Sequence, residues 1–201
     1  MDPRAALTQR SPAWFAARVD RLTASRAPAA CGISPYASAD ALMREMLAEH
    51  YGESARPDSE ALRYGREHEP VAIAAYSHVT GNRVTSAGLF VAGDYLGASP
   101  DGLVESDAAG PGLLEVKCPA GRRLTTLSQR EDYWLQCQLQ CLCTGRLWCD
   151  FFVWTPRRTH LERLRLDRLR LAPYLRKLET FYRRYQAVLR NPVAQQQYRR
   201  A

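Results

Sequence analysis

Three charged side chains interrupt a stretch of strand-forming residues in the middle of the chain. Thirteen residues separate Asp101 from Glu115, and Lys117 follows two positions later. Glycine, proline and aspartate in the segment 107–112 favour a β-hairpin in which Asp101 begins one strand and Glu115 lies on its partner. Because side chains alternate along a strand, we expect Glu115 and Lys117 on one face and the apolar Val116 on the other.

This arrangement of charges suits a divalent cation. Hard cations such as Mg²⁺ take oxygen ligands, and Asp101 and Glu115 offer two carboxylates. The backbone carbonyl of Val116 and the carboxylate of Glu69, on an upstream helix, are candidate further ligands. An ammonium such as that of Lys117 can orient an attacking water or stabilise the charge of a reacting phosphate. A surface hairpin with a cross-strand salt bridge would carry the same residues, so the pattern alone leaves both interpretations open.

The order of apolar patterns along the chain is typical of an α/β protein. Helices are expected over 38–52, 60–79, 131–144 and about 170–191. The second is bent or restarted at Pro70, because proline lacks a backbone N–H. Short strands are expected at 84, 89–91, 103–104, 113–116, 148–154 and 161–166. We therefore expect a single domain over 1–201, with a mixed central β-sheet flanked by helices and the basic C-terminal helix packed on it.

The charges of the chain are unevenly distributed. Residues 155–201 carry 13 basic and 3 acidic side chains, whereas residues 1–154 carry 15 basic and 18 acidic ones. A basic C-terminal segment suits a polyanionic partner such as nucleic acid, although a solvated basic helix would have the same composition. No apolar run approaches the roughly 18 residues of a membrane span, and the N-terminus lacks a signal peptide. These features predict a soluble, cytoplasmic protein with no membrane partner.

Six cysteines raise the question of disulfides or a metal cluster. Without a secretory signal, disulfides are not expected, and the spacing lacks the paired C-x2-C of a zinc site. Cys137, Cys141 and Cys143 lie in an apolar helical stretch, which favours packing in the core. An iron–sulfur cluster is the alternative.

Five blocks of sequence, taken in order, resemble the lambda exonuclease (YqaJ-type) viral recombinase family of the PD-(D/E)xK nuclease superfamily. The blocks are Trp14-Phe-Ala-Ala-Arg18 with Thr23-Ala-Ser25, Tyr64-Gly-Arg-Glu-His-Glu69, Ser99-Pro-Asp-Gly102, Leu114-Glu-Val-Lys-Cys-Pro119 and Gln136-Cys-Gln138. The resemblance implies a restriction-endonuclease-like core and a Mg²⁺-dependent 5′→3′ exonuclease that acts on double-stranded DNA ends. Two metal ions, with Mn²⁺ as an alternative to Mg²⁺, and a ring-shaped homotrimer are also implied. A further implied partner is a single-strand annealing protein that receives the 3′ overhang for recombination.

The resemblance also assigns roles position by position. Asp101, Glu115 and Glu69 would hold the metals together with the Val116 carbonyl, and Lys117 would assist the attacking water. The side chains that match a binding pocket for the terminal 5′ phosphate are Arg18, Ser25, Ser99 and Gln138. Helix phase alone leaves Gln136 open as the alternative to Gln138.

Two further groups of residues concern the DNA duplex. Leu62 matches an apolar wedge that separates the terminal base pair, a known use of inserted apolar side chains. Arg122, Arg123 and Arg130 follow the catalytic strand, and we expect them to contact backbone phosphates.

Two other functions remain compatible with the same residues. A structure-specific or site-specific endonuclease could use the same fold, although a clamp of Arg18 and Ser25 for a terminal phosphate favours an end-dependent enzyme. A non-catalytic DNA-end-binding protein would have no need of Asp101, Glu115 and Lys117 together.

Overall fold

The structure of the chain is a computed structural model that describes residues 2–53, 59–105, 107–121 and 123–199. The helices are α1 (Pro12–Arg18), α2 (Ala27–Ala30), α3 (Ala39–His50), α4 (Glu60–Thr80), α5 (Glu131–Thr144), α6 (Arg168–Leu189) and α7 (Pro192–Arg199). The strands are β1 (Leu22–Thr23), β2 (Val84–Thr85), β3 (Phe90–Ala92), β4 (Leu96–Ala98), β5 (Gly102–Val104), β6 (Gly112–Lys117), β7 (Trp148–Trp154) and β8 (Thr159–Arg165). Short 3-10 turns occupy Pro3–Ala6 and Leu127–Gln129.

The strands form two sheets. One has five strands in the order β2-β5-β6-β7-β8, and the other has three in the order β1-β4-β3. In the larger sheet β6 and β7 run parallel, whereas the other neighbours are antiparallel. Parallel strands need a long crossover connection, which α5 provides between β6 and β7. The predicted α/β fold with a mixed sheet flanked by helices is confirmed.

Helices cover both faces of the five-stranded sheet. On one face, Ala72 and Tyr76 of α4 pack against side chains that include Val116 of β6. On the other face, Cys137 and Cys141 of α5 are buried against β6 and β7. A third apolar cluster joins α2, α3, α5 and α6 to the smaller sheet. The structure therefore confirms that Cys137 and Cys141 pack in the core.

Several element boundaries differ from the sequence-based expectations. The helix α4 runs through Pro70 without a break, and Pro70 itself is exposed. The helix α6 begins at Arg168, where the side chain of Asp167 accepts a hydrogen bond from the N–H of Arg170 at 2.9 Å. The short polar helix α7 was not predicted. Among the described residues, no helix has the length and apolar character needed to cross a membrane.

Close packing at the start of β6 leaves no room for a side chain at Gly112. A Cβ atom built there would lie 2.1 Å from the indole carbon Cε2 of Trp148. Trp148 is fully buried, and the guanidinium of Arg163 covers its ring at 3.7 Å from the centroid. The indole therefore cannot move away without disrupting the sheet.

We expect Gly112→Ala to lower the free energy of unfolding by about 3 kcal/mol, the upper part of the usual range for overpacking. Gly121→Ala is the matched control, because a Cβ atom at Gly121 meets no atom within 4 Å. The control should change the same quantity by less than about 0.5 kcal/mol. Urea unfolding of the two variants measures both values, and equal losses would contradict the packing argument.

Candidate active site

The pairing of β5 with β6 brings Asp101 opposite Glu115. Gly102 pairs with Leu114 in the antiparallel register, so the residue before β5 faces the next residue along β6. Asp101 accepts a hydrogen bond through Oδ2 from the backbone N–H of Val116 at 2.7 Å. Burial, followed by the negative charges of Glu115 and Glu69, holds the pKa of Asp101 well above its usual value. The predicted hairpin therefore concentrates negative charge at one point.

Glu115 is almost completely buried, with 2% of its surface exposed. Its Oε1 accepts a hydrogen bond from Gln136 Nε2 at 2.7 Å, and its Oε2 accepts one from Gln140 Nε2 at 2.5 Å. Gln136 and Gln140 are four residues apart, so they lie on the same face of α5. The strand pattern did not reveal this contact, and the spacing of the two glutamines on the following helix is the signal that could have indicated it.

Lys117 forms an ion pair with Glu115 and donates a hydrogen bond to Gln136 Oε1 at 3.2 Å. Burial opposes its positive charge, but the carboxylates of Glu115 and Asp101 outweigh burial and raise the pKa of Lys117. Its Nζ also lies 4.9 Å from the ring centroid of Tyr133. Lys117 is therefore an ammonium that balances the carboxylates of the site.

Glu69 lies on α4, on the side of the site opposite α5. Its Oε2 is 2.5 Å from the guanidinium of Arg10, and its charge is among the causes that raise the pKa of Asp101. The helix α4 continues unbroken past the exposed Pro70, and Glu69 lies near enough to Asp101 for its charge to act on that carboxyl. Its role as a metal ligand stays a prediction.

The donor set fits a divalent cation. Within the described parts of the chain, no three histidine, cysteine, aspartate or glutamate side chains form a ready-made metal site. However, burial, followed by the negative charges of Glu115 and Glu69, raises the pKa of Asp101 despite the positive charge of Lys117. The charged form of Asp101 is therefore short of positive neighbours. A cation with water as its remaining ligands would relieve this shortage, and Mg²⁺ commonly binds through one or two carboxylates.

A group of residues suited to an anion includes Ser99, which precedes Asp101 by two residues along the chain. The guanidinium of Arg18 stacks on Trp14 at 4.0 Å from the ring centroid, and Trp14 Nε1 donates a hydrogen bond to Ser99 Oγ at 2.9 Å. Burial, followed by the charge of Arg26, lowers the pKa of Arg18 to about 10. Among the described residues, no ion pair involves Arg18, whereas Arg26 pairs with Glu45 and Glu49.

The structure does not bring Gln138 to this group. Gln138 is fully buried; its Nε2 donates to the carbonyl of Arg165 at 2.8 Å, and its Oε1 accepts from the N–H of Asp167 at 2.7 Å. Two residues along a helix correspond to a rotation of about 200°, so Gln138 faces away from Gln136. Of the two glutamines, Gln136 contacts the site, and Gln138 joins α5 to the end of β8.

Three of the other predicted residues that the structure describes are exposed. Ser25 is exposed, with Oγ 3.4 Å from Thr23 Oγ1. Leu62, in the first turn of α4, is 53% exposed, and Arg123 is exposed. Arg122 lies outside the described residues.

Arg130 already has a carboxylate partner inside the protein. Its Nε donates a hydrogen bond to Asp132 Oδ1 at 2.8 Å, and its Nη2 donates one to Asp132 Oδ2 at 2.6 Å. Its guanidinium also stacks on the ring of Tyr133 at 3.8 Å from the centroid. The backbone-phosphate contact expected for Arg130 therefore stays a prediction, and the side chain binds to its own neighbours in this structure.

Comparisons with known proteins place this geometry in a family. Residues 13–147 match the model of the YqaJ-like viral recombinase domain. A comparison with curated protein sequences gave no significant match. An alkaline exonuclease (LHK-Exo) from Laribacter hongkongensis is similar at 29% identity with a TM-score of 0.75, covering 95% of this chain and 100% of that chain. The same exonuclease in complex with dAMP is similar at 30% identity and a TM-score of 0.74, with the same coverage.

A phage-related exonuclease from Haemophilus somnus 129PT shares the fold, with a TM-score of 0.66 at 14% identity over 87% of this chain and 97% of that chain. The region matched by the family model contains Arg18, Glu69, Asp101, Glu115 and Lys117. The strand positions of Asp101, Glu115 and Lys117 agree with the predicted PD-(D/E)xK core. The chain belongs to the YqaJ-like viral recombinase family.

Proposed function

We propose that this protein is a Mg²⁺-dependent exonuclease that degrades one strand of linear double-stranded DNA in the 5′→3′ direction from 5′-phosphorylated ends. The observation that carries the proposal is that one short segment of the chain contributes to two groups of opposite charge. Ser99, which is hydrogen-bonded within the Arg18 group, and Asp101, which belongs to the carboxylate group, are two residues apart. A terminal phosphate bound by Arg18 would therefore hold the end of a strand next to the carboxylates.

The names of the relatives support this substrate class. The two structures at 29 and 30% identity are both of an alkaline exonuclease from Laribacter hongkongensis, and one of them is a complex with dAMP, a nucleoside monophosphate. A mononucleotide carries the phosphate that the Arg18 group is suited to bind. Degradation from the 5′ end leaves a 3′ single-stranded overhang, which is the form of DNA that single-strand annealing requires.

Asp101 and Glu115 are the proposed ligands of the metal, with Glu69 and the Val116 carbonyl as further ligands. Bound Mg²⁺ or Mn²⁺, as one or two ions, would supply Lewis-acid stabilisation of phosphate oxygens and an activated water. Lys117, held by Glu115 and Gln136, presents an ammonium that can donate hydrogen bonds to a phosphate oxygen or to the attacking water. Gln136 and Gln140 keep the Glu115 carboxylate in a fixed orientation.

Further parts of the proposal rest on the family. Leu62 is exposed at the start of α4, as a wedge between the terminal bases would have to be. A homotrimeric ring around DNA would keep the enzyme on its substrate between cuts, and a single-strand annealing protein would receive the overhang. We also propose that residues 1–201 act as one nuclease domain.

Burial, followed by repulsion from Glu115 and Glu69, disfavours the charged form of Asp101. We therefore predict that Asp101→Asn, which places a neutral amide there, stabilises the protein in EDTA. We expect a melting temperature about 3 °C higher than that of the wild type, as a gain of about 1 kcal/mol would produce. Mg²⁺ and Mn²⁺ should raise the melting temperature of the wild type and not that of Asp101→Asn.

Glu105→Gln is the control for Asp101→Asn, because Glu105 is an exposed carboxylate paired with Arg146. This control should gain no stability in EDTA and should keep the response to Mg²⁺. A lower melting temperature of Asp101→Asn in EDTA would contradict the charge argument.

The activity is tested with a linear duplex and a closed circle, each with Mg²⁺ and with EDTA. We expect nucleotide release from the linear DNA alone, only with Mg²⁺, and at least about 100-fold slower with Lys117→Ala, because the variant lacks the ammonium. Cutting of the circle would instead identify an endonuclease. Binding to DNA ends without cleavage would identify a non-catalytic end-binding protein.

The phosphate site predicts that Arg18→Ala removes a preference for phosphorylated ends. The wild type should digest 5′-phosphorylated duplex about 10-fold faster or more than 5′-hydroxyl duplex, since a charge-assisted bond to the phosphate contributes about 1.5–3 kcal/mol. Arg18→Ala should digest both at similar low rates.

Arg183→Ala, which alters an exposed arginine of α6 paired with Glu179, should keep the preference of the wild type. Equal rates on both duplexes with the wild type would show that Arg18 does not bind the terminal phosphate.

A further inference from the structure

An exposed aromatic ring is held at the edge of the active site. Tyr36, in the segment between α2 and α3, is 65% exposed. Its backbone N–H donates a hydrogen bond to Ser34 Oγ at 3.1 Å, and its Oη accepts one from the guanidinium of Arg130 at 3.0 Å. Both the backbone and the end of the ring are therefore fixed, although most of the ring faces solvent.

A ladder of stacked side chains connects this ring to Lys117. The guanidinium of Arg130 lies 5.3 Å from the ring centroid of Tyr36 and 3.8 Å from that of Tyr133. Tyr133 in turn lies beside the ammonium of Lys117, at 4.9 Å from its ring centroid. The hydroxyl of Tyr36 also lies 3.5 Å from that of Tyr133. Tyr133 alone therefore separates Tyr36 from the ammonium of the active site.

The chemistry of this ladder favours a base over a phosphate as its ligand. Arg130, which could have bound a phosphate, has its charge balanced by Asp132. The exposed group that remains is the neutral, flat ring of Tyr36. Aromatic rings of this kind bind nucleobases by stacking, with little dependence on sequence because every base has a π-face.

We propose that Tyr36 stacks against a nucleobase of the DNA strand that occupies the site formed by Asp101, Glu115 and Lys117. The inference rests on the proposed function, because it assumes that DNA is the substrate. Arg130 and Tyr133 act as positioning residues that hold the ring at a fixed place relative to Lys117.

The test uses the full chain carrying Lys117→Ala, which keeps the DNA intact, and a duplex with 2-aminopurine at its 5′-terminal positions. Stacking on an aromatic ring quenches the fluorescence of this base. We expect quenching on binding to the parent protein and to Tyr36→Phe, which keeps the ring. Tyr36→Ala should lose the quenching and bind the duplex about 5- to 100-fold more weakly, the range measured for removing one stacking contact.

Tyr51→Ala is the matched control. Tyr51 is also exposed, but its hydroxyl donates to Gln195 of α7 instead of contacting the Arg130 ladder. This variant should quench and bind like the parent protein. The same substitutions in the active enzyme should raise KM for linear duplex about 5-fold or more with Tyr36→Ala and leave it unchanged with Tyr36→Phe and Tyr51→Ala.

Equal quenching and equal KM with Tyr36→Ala would overturn the inference. A loss shared by Tyr36→Phe would also overturn it, because the hydrogen bond to Arg130, and not the ring, would then be responsible. In both cases the wild type would still digest linear DNA, so the proposed function would stand. A wild type that neither binds nor cleaves DNA would instead refute the proposed function itself.

Discussion

A carboxylate with almost no access to water lies at the junction of the hairpin and the parallel strand pair, and the surrounding structure supplies its hydrogen-bond donors. Glu115 receives them from Lys117 on its own strand and from Gln136 and Gln140 on α5. Removing one partner of a buried charge typically costs 3–5 kcal/mol. The position and rotation of α5 over the sheet therefore follow from the need to satisfy this one side chain.

Two groups at the site have pKa values displaced towards their neutral forms. The pKa of Asp101 is raised and that of Arg18 is lowered. In both cases the folded protein disfavours the charged form of the side chain. The two side chains are connected through their neighbours. Arg18 stacks on Trp14, and Trp14 donates a hydrogen bond to Ser99, two residues before Asp101. Proteins commonly give up stability in this way at functional sites. Under the proposed function, a cation would compensate Asp101 and an anionic phosphate would compensate Arg18. That complementarity is the physical content of the proposed chemistry.

Local rules were sufficient for much of the fold. Turn residues and strand alternation predicted the hairpin and the shared face of Glu115 and Lys117, and apolar periodicity with Gly145 as a stop gave α5 its observed bounds. Proline predicts a bend or a new start at Pro70, yet α4 continues through this residue, which lies on an exposed part of a helix held by tertiary packing. The polar α7 has too little apolar pattern to be recognised.

The finer features of the site required tertiary information. The choice between Gln136 and Gln138 depends on which side of α5 faces β6. The folded chain shows Gln136 hydrogen-bonded to Glu115 of β6 and Gln138 hydrogen-bonded to the end of β8. The spacing of Gln136 and Gln140 places them on one face of α5, but the sequence does not show that this face meets Glu115. Likewise, the sequence predicts that Arg130 is available to contact DNA. Only the folded chain shows its contacts with Asp132 and Tyr133.

The helix α5 makes different connections at three points along its length. Its start supports the Arg130–Tyr133 stack, its middle binds Glu115, and Gln138 joins it to the end of β8. Inserting one residue within α5 would rotate everything after it by about 100° and shift it by about 1.5 Å. Related sequences can therefore vary in the length of the loop between β6 and α5, whereas the helix itself should tolerate almost no insertions or deletions.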